Sequence, residues 1–195
     1  MRLRGLYAIT PENLDTALLL RKVQEALEGG IALLQYRRKA LSSAAEAGKL
    51  MKLARSHGVP FIVNDDLALA RELGADGVHL GREDPEAALA REHLSIVGAS
   101  AYDSLERARE AVRAGADYVA FGSVFASPTK PSAVRAPLSL FGNDLGVPLC
   151  AIGGITLQNA PQLLKAGASL LAVISDLFDA PDTRARAREY GKLFT

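Results

Sequence analysis

Seven apolar, strand-like runs of this chain end in residues that can hold an anion, a metal ion or a small polar ring. In chain order these residues are Gln35, Arg37, Lys39, Asn64, Asp65, Asp84, Ser100, Ser127, Thr129, Lys130, Gly153, Gly154 and Ser175. A single cluster of this kind could arise by chance. Its repetition at the same place in successive units indicates the rim of an active site.

The run IALLQYRRK supplies the first cluster. On a strand, Gln35, Arg37 and Lys39 share one face, where a glutamine can hydrogen bond a heterocycle edge and two cations suit a phosphate. Tyr36 and Arg38 point the other way, toward the helices, although the predicted substrate-binding stretch takes in all five residues. The alternative is a solvated basic strand end.

Two carboxylates, Asp65 and Asp84, follow the predicted third and fourth strands. Mg²⁺ needs few protein ligands when substrate phosphate oxygens complete its shell, so this pair could hold it. Asp66 suits the N-cap of the helix that follows, which leaves Asp65 for the metal. Asp84 could instead be a cap ahead of Pro85.

Two further segments are suited to phosphate. The stretch SPTK at 127–130 offers two hydroxyls, backbone N–H groups and a lysine around the rigid Pro128, or else forms a surface turn. IGGI before Thr156 and VIS ending at Ser175 form the predicted ends of strands seven and eight. That pair is a recurrent phosphate site in barrels, where a helix N-terminus favours an anion and glycine permits close approach; a tight turn is the alternative.

A repeated unit organises the chain: a helical pattern, then Gly-Ala-Asp or a relative of it, then a short apolar run. Glycine ends a helix cheaply, and a continuous apolar run is typical of a parallel strand covered on both faces. Strands are predicted near 5–10, 31–37, 60–64, 76–80, 95–100, 117–121, 147–152 and 169–174. Helices are predicted near 15–28, 43–57, 66–73, 85–92, 103–114, 136–144, 156–166 and 182–193.

Eight such units in 195 residues predict an α/β fold, a single (β/α)8 TIM barrel domain spanning 1–195. A doubly wound open sheet is the alternative, because the sequence alone does not show closure. The glycine- and proline-rich loop 122–135 is long for a compact domain, which is typical of functional loops.

Composition restricts the class of protein. Apolar residues make up 49%, charged residues 23%, and the net charge is +1, so nucleic acid is not an expected partner. No apolar run is long enough to span a bilayer, no signal peptide is evident, and the cytoplasm is the expected compartment. Cys150 is the single cysteine and is expected to be a buried apolar residue. The histidines lack zinc-ligand spacing, and we find no Ser/His/Asp arrangement.

Together these motifs resemble the thiamine-phosphate synthase family over nearly the whole chain. The matching stretches are QYRRK, VNDD, ADGVHLGRED, GADYVAFGSVFASPTKP, AIGGIT and VIS. The resemblance implies a (β/α)8 barrel that joins a hydroxymethylpyrimidine diphosphate to a thiazole phosphate, giving thiamine monophosphate and diphosphate. It also implies small-molecule substrates and Mg²⁺. A homodimer is a further expectation, although the sequence does not give the oligomeric state.

The resemblance assigns roles residue by residue. Those implied for the pyrimidine diphosphate are Gln35, Arg37, Lys39, Asn64, Ser100 and Lys130, of which Arg37, Lys39, Ser100 and Lys130 are the predicted catalytic residues. Asp65 and Asp84 would carry Mg²⁺. The residues implied for the thiazole phosphate are Ser127, Pro128, Thr129, Gly154, Ile174 and Ser175. The family often has Ser-Thr-His after strand five, where this chain has Ser100-Ala101-Tyr102, so no role is carried over for that histidine.

Three other functions remain open from the residues. A thiazole tautomerase is expected to use the histidine that is missing after strand five. A non-catalytic sensor of thiamine phosphates would not require two metal carboxylates and three cations. Another phosphate-binding barrel, such as an isomerase, requires an acid–base pair or metal-ligand histidines, and neither is identifiable.

Overall fold

Eight parallel strands close into a barrel in the computed structural model, which describes residues 3–38, 43–81, 90–126 and 134–195. Each strand pairs with the next in the chain, and β8 pairs with β1 through Gly5–Leu170 to Ala8–Val173. The strands are β1 Gly5–Ile9, β2 Leu33–Tyr36, β3 Phe61–Asn64, β4 Gly77–Leu80, β5 Ile96–Tyr102, β6 Tyr118–Phe121, β7 Leu149–Ile152 and β8 Leu170–Val173. Closure confirms the predicted barrel over the open sheet.

Helices cover the outside of the barrel. Within the described ranges they are α1 Thr16–Gly29, α2 Ala44–Ser56, α3 Leu67–Leu73, α4 Leu105–Arg113, α5 Ala160–Ala166, α6 Ser175–Phe178 and α7 Thr183–Lys192. A short 3-10 helix spans Leu138–Gly142. The helix predicted near 85–92 lies largely outside the described residues.

Side-chain caps fix where most of these helices begin. An aspartate or serine oxygen accepts a hydrogen bond from the N–H three residues on at Asp15, Ser43, Asp66, Ser104 and Asp182. Such a bond satisfies one of the backbone donors that a helix N-terminus leaves without a partner. The predicted cap at Asp66 is therefore confirmed, with 2.8 Å from Leu69 N to Asp66 Oδ1.

The sequence reading was wrong at three helices. The segment predicted near 136–144 is the 3-10 turn, entered from Pro137 and ended at Asn143. The helix expected to open at Thr156 begins only at Ala160. Asn159 delays it, because its side chain accepts from Thr156 N at 2.8 Å and donates to the Gly154 carbonyl at 2.9 Å. The additional helix α6 starts directly after β8.

Alternation along the strands divides the core into two layers. Residues pointing outward pack against the helices in one large cluster, which includes Leu34, Tyr36 and Val63. Residues pointing inward form a separate lumen cluster of Leu3, Tyr7, Ile9, Leu33, Ile62, Tyr118, Ala120, Cys150, Leu170 and Ala172. Cys150 is fully buried there, as expected, and burial raises the pKa of its thiol.

Candidate active site

A chain of hydrogen bonds crosses the lumen from β2 to β5. Gln35 Nε2 lies 2.6 Å from Tyr7 Oη, which lies 2.7 Å from Tyr118 Oη. His79 continues the chain, with Nδ1 2.9 Å from Tyr118 Oη and Nε2 2.9 Å from Ser100 Oγ. We call Gln35–Tyr7–Tyr118–His79–Ser100 the lumen chain. Its two ends are residues that the sequence predicts to bind substrate.

The aromatic rings of the lumen chain are packed as well as hydrogen bonded. The His79 ring stacks on Tyr118 with 5.6 Å between centroids, and Tyr7 meets Tyr118 edge to face at 5.8 Å. Gly98 on β5 makes this packing possible, because a Cβ there would lie 2.0 Å from Tyr118 Cζ. Burial raises the pKa of the Tyr7 and Tyr118 hydroxyls well above the ordinary value, so both stay protonated.

At the end of β2, Arg37 is oriented by the loop between β1 and α1. Arg37 Nη1 pairs with Glu12 Oε1 at 2.5 Å. The buried Thr10 hydroxyl accepts from Arg37 N at 2.8 Å, and Thr10 N donates to the Gln35 carbonyl. Arg37 is consequently held at the barrel mouth, where its guanidinium can meet an anion.

Tyr36 and Arg38 face α2, as their parity predicts. Arg38 Nε donates to Glu46 Oε1 at 2.9 Å, while its two terminal nitrogens donate to the carbonyls of Glu12 and Leu14. Tyr36 also donates to Glu46, at 3.2 Å. Arg38 and Glu46 are almost fully buried, with 6% and 7% of their side chains exposed. These contacts lock the end of β2 to α2 and to the β1–α1 loop.

Asn64 ends β3, and Asp65 follows it directly. Asp65 has a left-handed backbone with φ of 61°, which aspartate adopts more readily than most residues, and its N–H donates to the His79 carbonyl at 2.9 Å. A cavity of about 310 Å³ opens here, lined by Tyr36, Arg38, Val63, Asn64, Asp65, Asp66 and Leu69. Tyr36 and Arg38, the two outward-facing residues of the predicted stretch at the end of β2, thus share a cavity with the predicted metal residue Asp65.

The end of β7 is shaped by close backbone contacts. Gly153 and Gly154 have φ of 103° and 62°, and a Cβ on Gly154 would lie 2.3 Å from the Ala126 carbonyl oxygen. Val124 and Phe125 donate to the carbonyls of Ile152 and Gly153. Here the glycines admit the chain's own segment 123–126. The sequence predicts a helix N-terminus at this turn. None forms there, because the Asn159 side chain binds the Thr156 N–H.

The end of β8 does lead straight into a helix. Ile174 is the N-cap of α6, and Ser175 is its first residue; both are half-buried. The ion pair from Arg186 Nη1 to Asp176 Oδ2, at 2.8 Å, and the bond from Tyr190 Oη to the same carboxylate at 2.7 Å tie α6 to α7. Ser175 therefore sits on a turn whose position is fixed from behind.

Several predicted site residues lie outside the described residues: Lys39, Asp84, Ser127, Pro128, Thr129 and Lys130.

The sequence analysis did not identify Tyr7, Tyr118 or Glu12 as functional residues, and it placed His79 in β4 without a role. Tyr7 shares a strand face with Ile9, and His79 points into the barrel, so the alternation along these strands could have identified both as inward-facing residues.

After Ser100, a register shift between Ser100 and Tyr102 interrupts the β5–β6 pairing, and Tyr102 has φ of 56°.

The donor chemistry at Asp65 fits Mg²⁺. The exposed Asp65 carboxylate directly follows β3 and is next in sequence to Asn64, and hard oxygen donors of this kind suit that ion. Among the described residues, no group of three or more histidine, cysteine, aspartate or glutamate side chains could hold a metal. A site with one or two carboxylates, completed by substrate oxygens, is compatible with that result.

None of the helices in the described ranges is long and apolar enough to cross a membrane.

Comparison with known proteins identifies the family of this chain. The family model for thiamine monophosphate synthase matches residues 6–177. The thiamine-phosphate synthase of Aromatoleum aromaticum is 56% identical, over 99% of this chain and 97% of that protein. That of Azoarcus sp. (strain BH72) is 54% identical, over 99% of this chain and 98% of the relative.

Solved structures agree with the sequence comparisons. Thiamine phosphate pyrophosphorylase from Pyrococcus furiosus superposes with a TM-score of 0.84 at 36% identity, over 99% of this chain and 96% of that one. A 3-hexulose-6-phosphate synthase, at 21% identity and a TM-score of 0.76, shares the fold. The chain belongs to the thiamine monophosphate synthase family, whose members are transferases of thiamine biosynthesis.

Proposed function

We propose that this chain joins a hydroxymethylpyrimidine diphosphate to a thiazole phosphate at the carboxyl-terminal mouth of its barrel. The observation that carries the assignment is the lumen chain. It connects Gln35 on β2 to Ser100 on β5 through buried groups, so two residues of the predicted pyrimidine site belong to one hydrogen-bonded structure.

The pyrimidine ring is held between Gln35, Asn64 and Ser100, and its diphosphate extends toward Arg37. Gln35 is the next-to-last residue of β2, and Asn64 is the last residue of the neighbouring β3. Arg37 is oriented toward the same mouth by Thr10 and Glu12. Lys39 and Lys130 complete this binding site in the proposal. Tyr36 and Arg38 remain predicted substrate-binding residues because they line the same cavity as Asn64, and their side-chain contacts support a role in holding β2.

The thiazole phosphate binds at the ends of β7 and β8. Gly154, Ile174 and Ser175 provide backbone N–H groups and a hydroxyl there, and Ser127, Pro128 and Thr129 are the predicted residues on the opposing loop. Support comes from the start of α6 directly after β8, since the N–H groups of a first helical turn have no partner within the helix.

Bond breaking and bond making then require little acid–base chemistry. The bond between the pyrimidine methylene carbon and the diphosphate oxygen breaks, and its electron pair leaves with the diphosphate. Arg37, Lys39 and Lys130 stabilise that developing charge, while the electron-rich aminopyrimidine stabilises the cationic carbon. The thiazole nitrogen uses its lone pair to form the new C–N bond and gives up no proton, so no general base is needed.

We also propose that Asp65 and Asp84 would hold Mg²⁺. When bound, the ion would neutralise diphosphate charge, as metal ions do in phosphoryl chemistry. Asp65 orients its carboxylate through the left-handed turn at the end of β3, which the N–H bond to the His79 carbonyl fixes in place.

The test is product formation by purified protein given the pyrimidine diphosphate, the thiazole phosphate and Mg²⁺, with each omitted in turn. Thiamine monophosphate and diphosphate should appear in equal amounts and only when all three are present. Binding of either substrate without turnover would overturn the proposal. Lys130→Ala should slow single-turnover diphosphate release by about 10²-fold, which is typical for losing one preorganised charge contact.

Two expectations accompany this function. A cytoplasmic enzyme acting on small molecules is consistent with the composition, and fractionation of the native cells would test that location. A homodimer remains a prediction, which light scattering of the purified protein would decide.

A further inference from the structure

We propose that Tyr7, Tyr118 and His79 are positioning residues that fix which hydrogen-bonding atoms Gln35 and Ser100 present to the pyrimidine substrate. This inference rests on the proposed function, because it takes from it that the two ends of the lumen chain bind that substrate. None of the three inner residues needs to touch the reacting atoms. Their effect would pass entirely through the order of donors and acceptors along the lumen chain.

The order of donors can be followed from Gln35. Its Nε2 donates to Tyr7 Oη at 2.6 Å. If Tyr118 also donated to the Tyr7 oxygen, the Tyr7 proton would have no acceptor along the lumen chain, so we assign that proton to Tyr118 Oη, 2.7 Å away. The Tyr118 proton is then directed to His79 Nδ1, at 2.9 Å. Each of the two tyrosine hydroxyls therefore accepts one bond and donates one.

The same order assigns the tautomer of His79. An Nδ1 that accepts from Tyr118 leaves the ring proton on Nε2, which donates to Ser100 Oγ at 2.9 Å. The lumen chain then uses neither Gln35 Oε1 nor the hydroxyl proton of Ser100. The β2 end consequently offers an acceptor and the β5 end offers a donor. An aminopyrimidine has complementary groups, since its amino N–H donates and its ring nitrogens accept.

Burial makes this order stable. Tyr7 and Tyr118 are 1% and 0% exposed, and Gln35 and His79 are 2% and 7% exposed. No buried side-chain nitrogen or oxygen among the described residues lacks a hydrogen-bond partner. Reversing a single bond would set two donors or two acceptors against each other inside the barrel, which is costly where no water can compensate. The lumen chain therefore keeps one direction throughout, and both ends change together if it reverses.

The direction can be measured on His79 without any substrate. The chain has three histidines, so the variant H57Q/H93Q leaves His79 as the single one. In ¹⁵N-labelled protein, we expect a pyridine-like nitrogen signal from Nδ1 and a pyrrole-like signal with an attached proton from Nε2. A proton on Nδ1, or on both nitrogens, would overturn the proposed order.

The functional consequence can be measured with Tyr118→Phe, which removes one hydroxyl and keeps the ring that stacks on His79. We expect KM for the pyrimidine diphosphate to rise about tenfold, as for the loss of one buried hydrogen bond, with KM for the thiazole phosphate unchanged. Tyr7→Phe should behave alike. The matched control is Tyr190→Phe, which removes a buried hydroxyl bound to Asp176 and should leave the pyrimidine KM unchanged.

The outcomes separate this inference from the proposed function. An active wild type, together with a Tyr118→Phe variant that keeps its pyrimidine KM, would overturn the positioning role. An equal rise in both KM values would also overturn it, because that would indicate general loosening of the barrel. If the wild type formed no thiamine monophosphate, the proposed function would fail, and the His79 spectrum would still decide the order of the lumen chain.

Discussion

Glu12 and Arg37 form an ion pair at the mouth of the barrel, with 2.5 Å between Glu12 Oε1 and Arg37 Nη1. The guanidinium proposed to bind the substrate diphosphate is thus in contact with a carboxylate from the β1–α1 loop. Both carboxylates and phosphates bind arginine through charge-assisted hydrogen bonds, so the two anions compete for one group. Glu12 is the more exposed partner, with 39% of its side chain accessible against 16% for Arg37.

Replacing Glu12 by glutamine should therefore tighten binding of inorganic diphosphate and of the pyrimidine diphosphate. Because partly exposed ion pairs contribute little, we expect an increase in affinity of only about two- to fivefold. Isothermal titration calorimetry at fixed ionic strength would measure it. The control is Glu72→Gln, an equal change in charge at an exposed position near the end of α3. Weaker binding by Glu12→Gln would contradict the prediction, because the loss of the orienting contact would then outweigh the release of Arg37 from a competing anion.

The metal assignment can be tested at two adjacent aspartates. Asparagine tolerates the left-handed backbone of Asp65 and serves equally well as the N-cap at Asp66, so both changes remove a charge while keeping the local fold. Asp65→Asn should raise the Mg²⁺ concentration for half-maximal turnover by roughly tenfold or more, since even indirect metal contacts cost that much. Asp66→Asn should leave it unchanged. Equal responses of the two variants to Mg²⁺ would remove Asp65 from the metal site.

Much of this arrangement could be predicted from the sequence, because it depends on local patterns. Glycines after helical runs and short apolar stretches gave the eight strands, and parity separated Gln35 and Arg37 from Tyr36 and Arg38. The lumen chain could not be predicted in this way. Tyr7 and Tyr118 lie 111 residues apart in sequence and meet only because the barrel closes. The late start of α5 was missed because it depends on which backbone groups the Asn159 side chain binds.

Glu46 links the stability of the fold to pH. Burial acts to raise the pKa of its carboxyl, but hydrogen bonds from Thr16, Arg38 and Tyr36 outweigh burial and leave the pKa below its ordinary value. A carboxyl whose pKa is lower in the folded state stabilises the protein above the unfolded-state pKa. That stabilisation is lost as the pH falls through the folded-state pKa.

Glu46→Gln should accordingly lower the free energy of unfolding by about 3 kcal/mol near neutral pH, because it leaves the Arg38 guanidinium buried without its counter-charge. Urea denaturation at neutral pH and at a series of acidic values would measure this. The difference between wild type and variant should shrink as the wild-type carboxyl becomes protonated. A difference that stays constant down to the most acidic pH at which both fold would contradict the proposed linkage.

Replacing each of two glycines by alanine tests the packing of the lumen chain, because only one of the two, Gly98, lies against Tyr118. A Cβ on Gly98 would lie 2.0 Å from Tyr118 Cζ and 2.2 Å from its hydroxyl, so Gly98→Ala must displace that ring. We expect a loss of about 1–3 kcal/mol in the free energy of unfolding, as for other overpacked cores, together with a raised KM for the pyrimidine diphosphate. In Gly48→Ala, the new methyl group would meet only Leu73 Cδ2, at an ordinary 3.7 Å, inside helix α2. That variant should gain about 0.5–1 kcal/mol, because alanine favours a helix interior over glycine, and its kinetics should be those of the wild type. If Gly98→Ala matched Gly48→Ala in both stability and KM, the Tyr118 ring would not depend on the space left by Gly98.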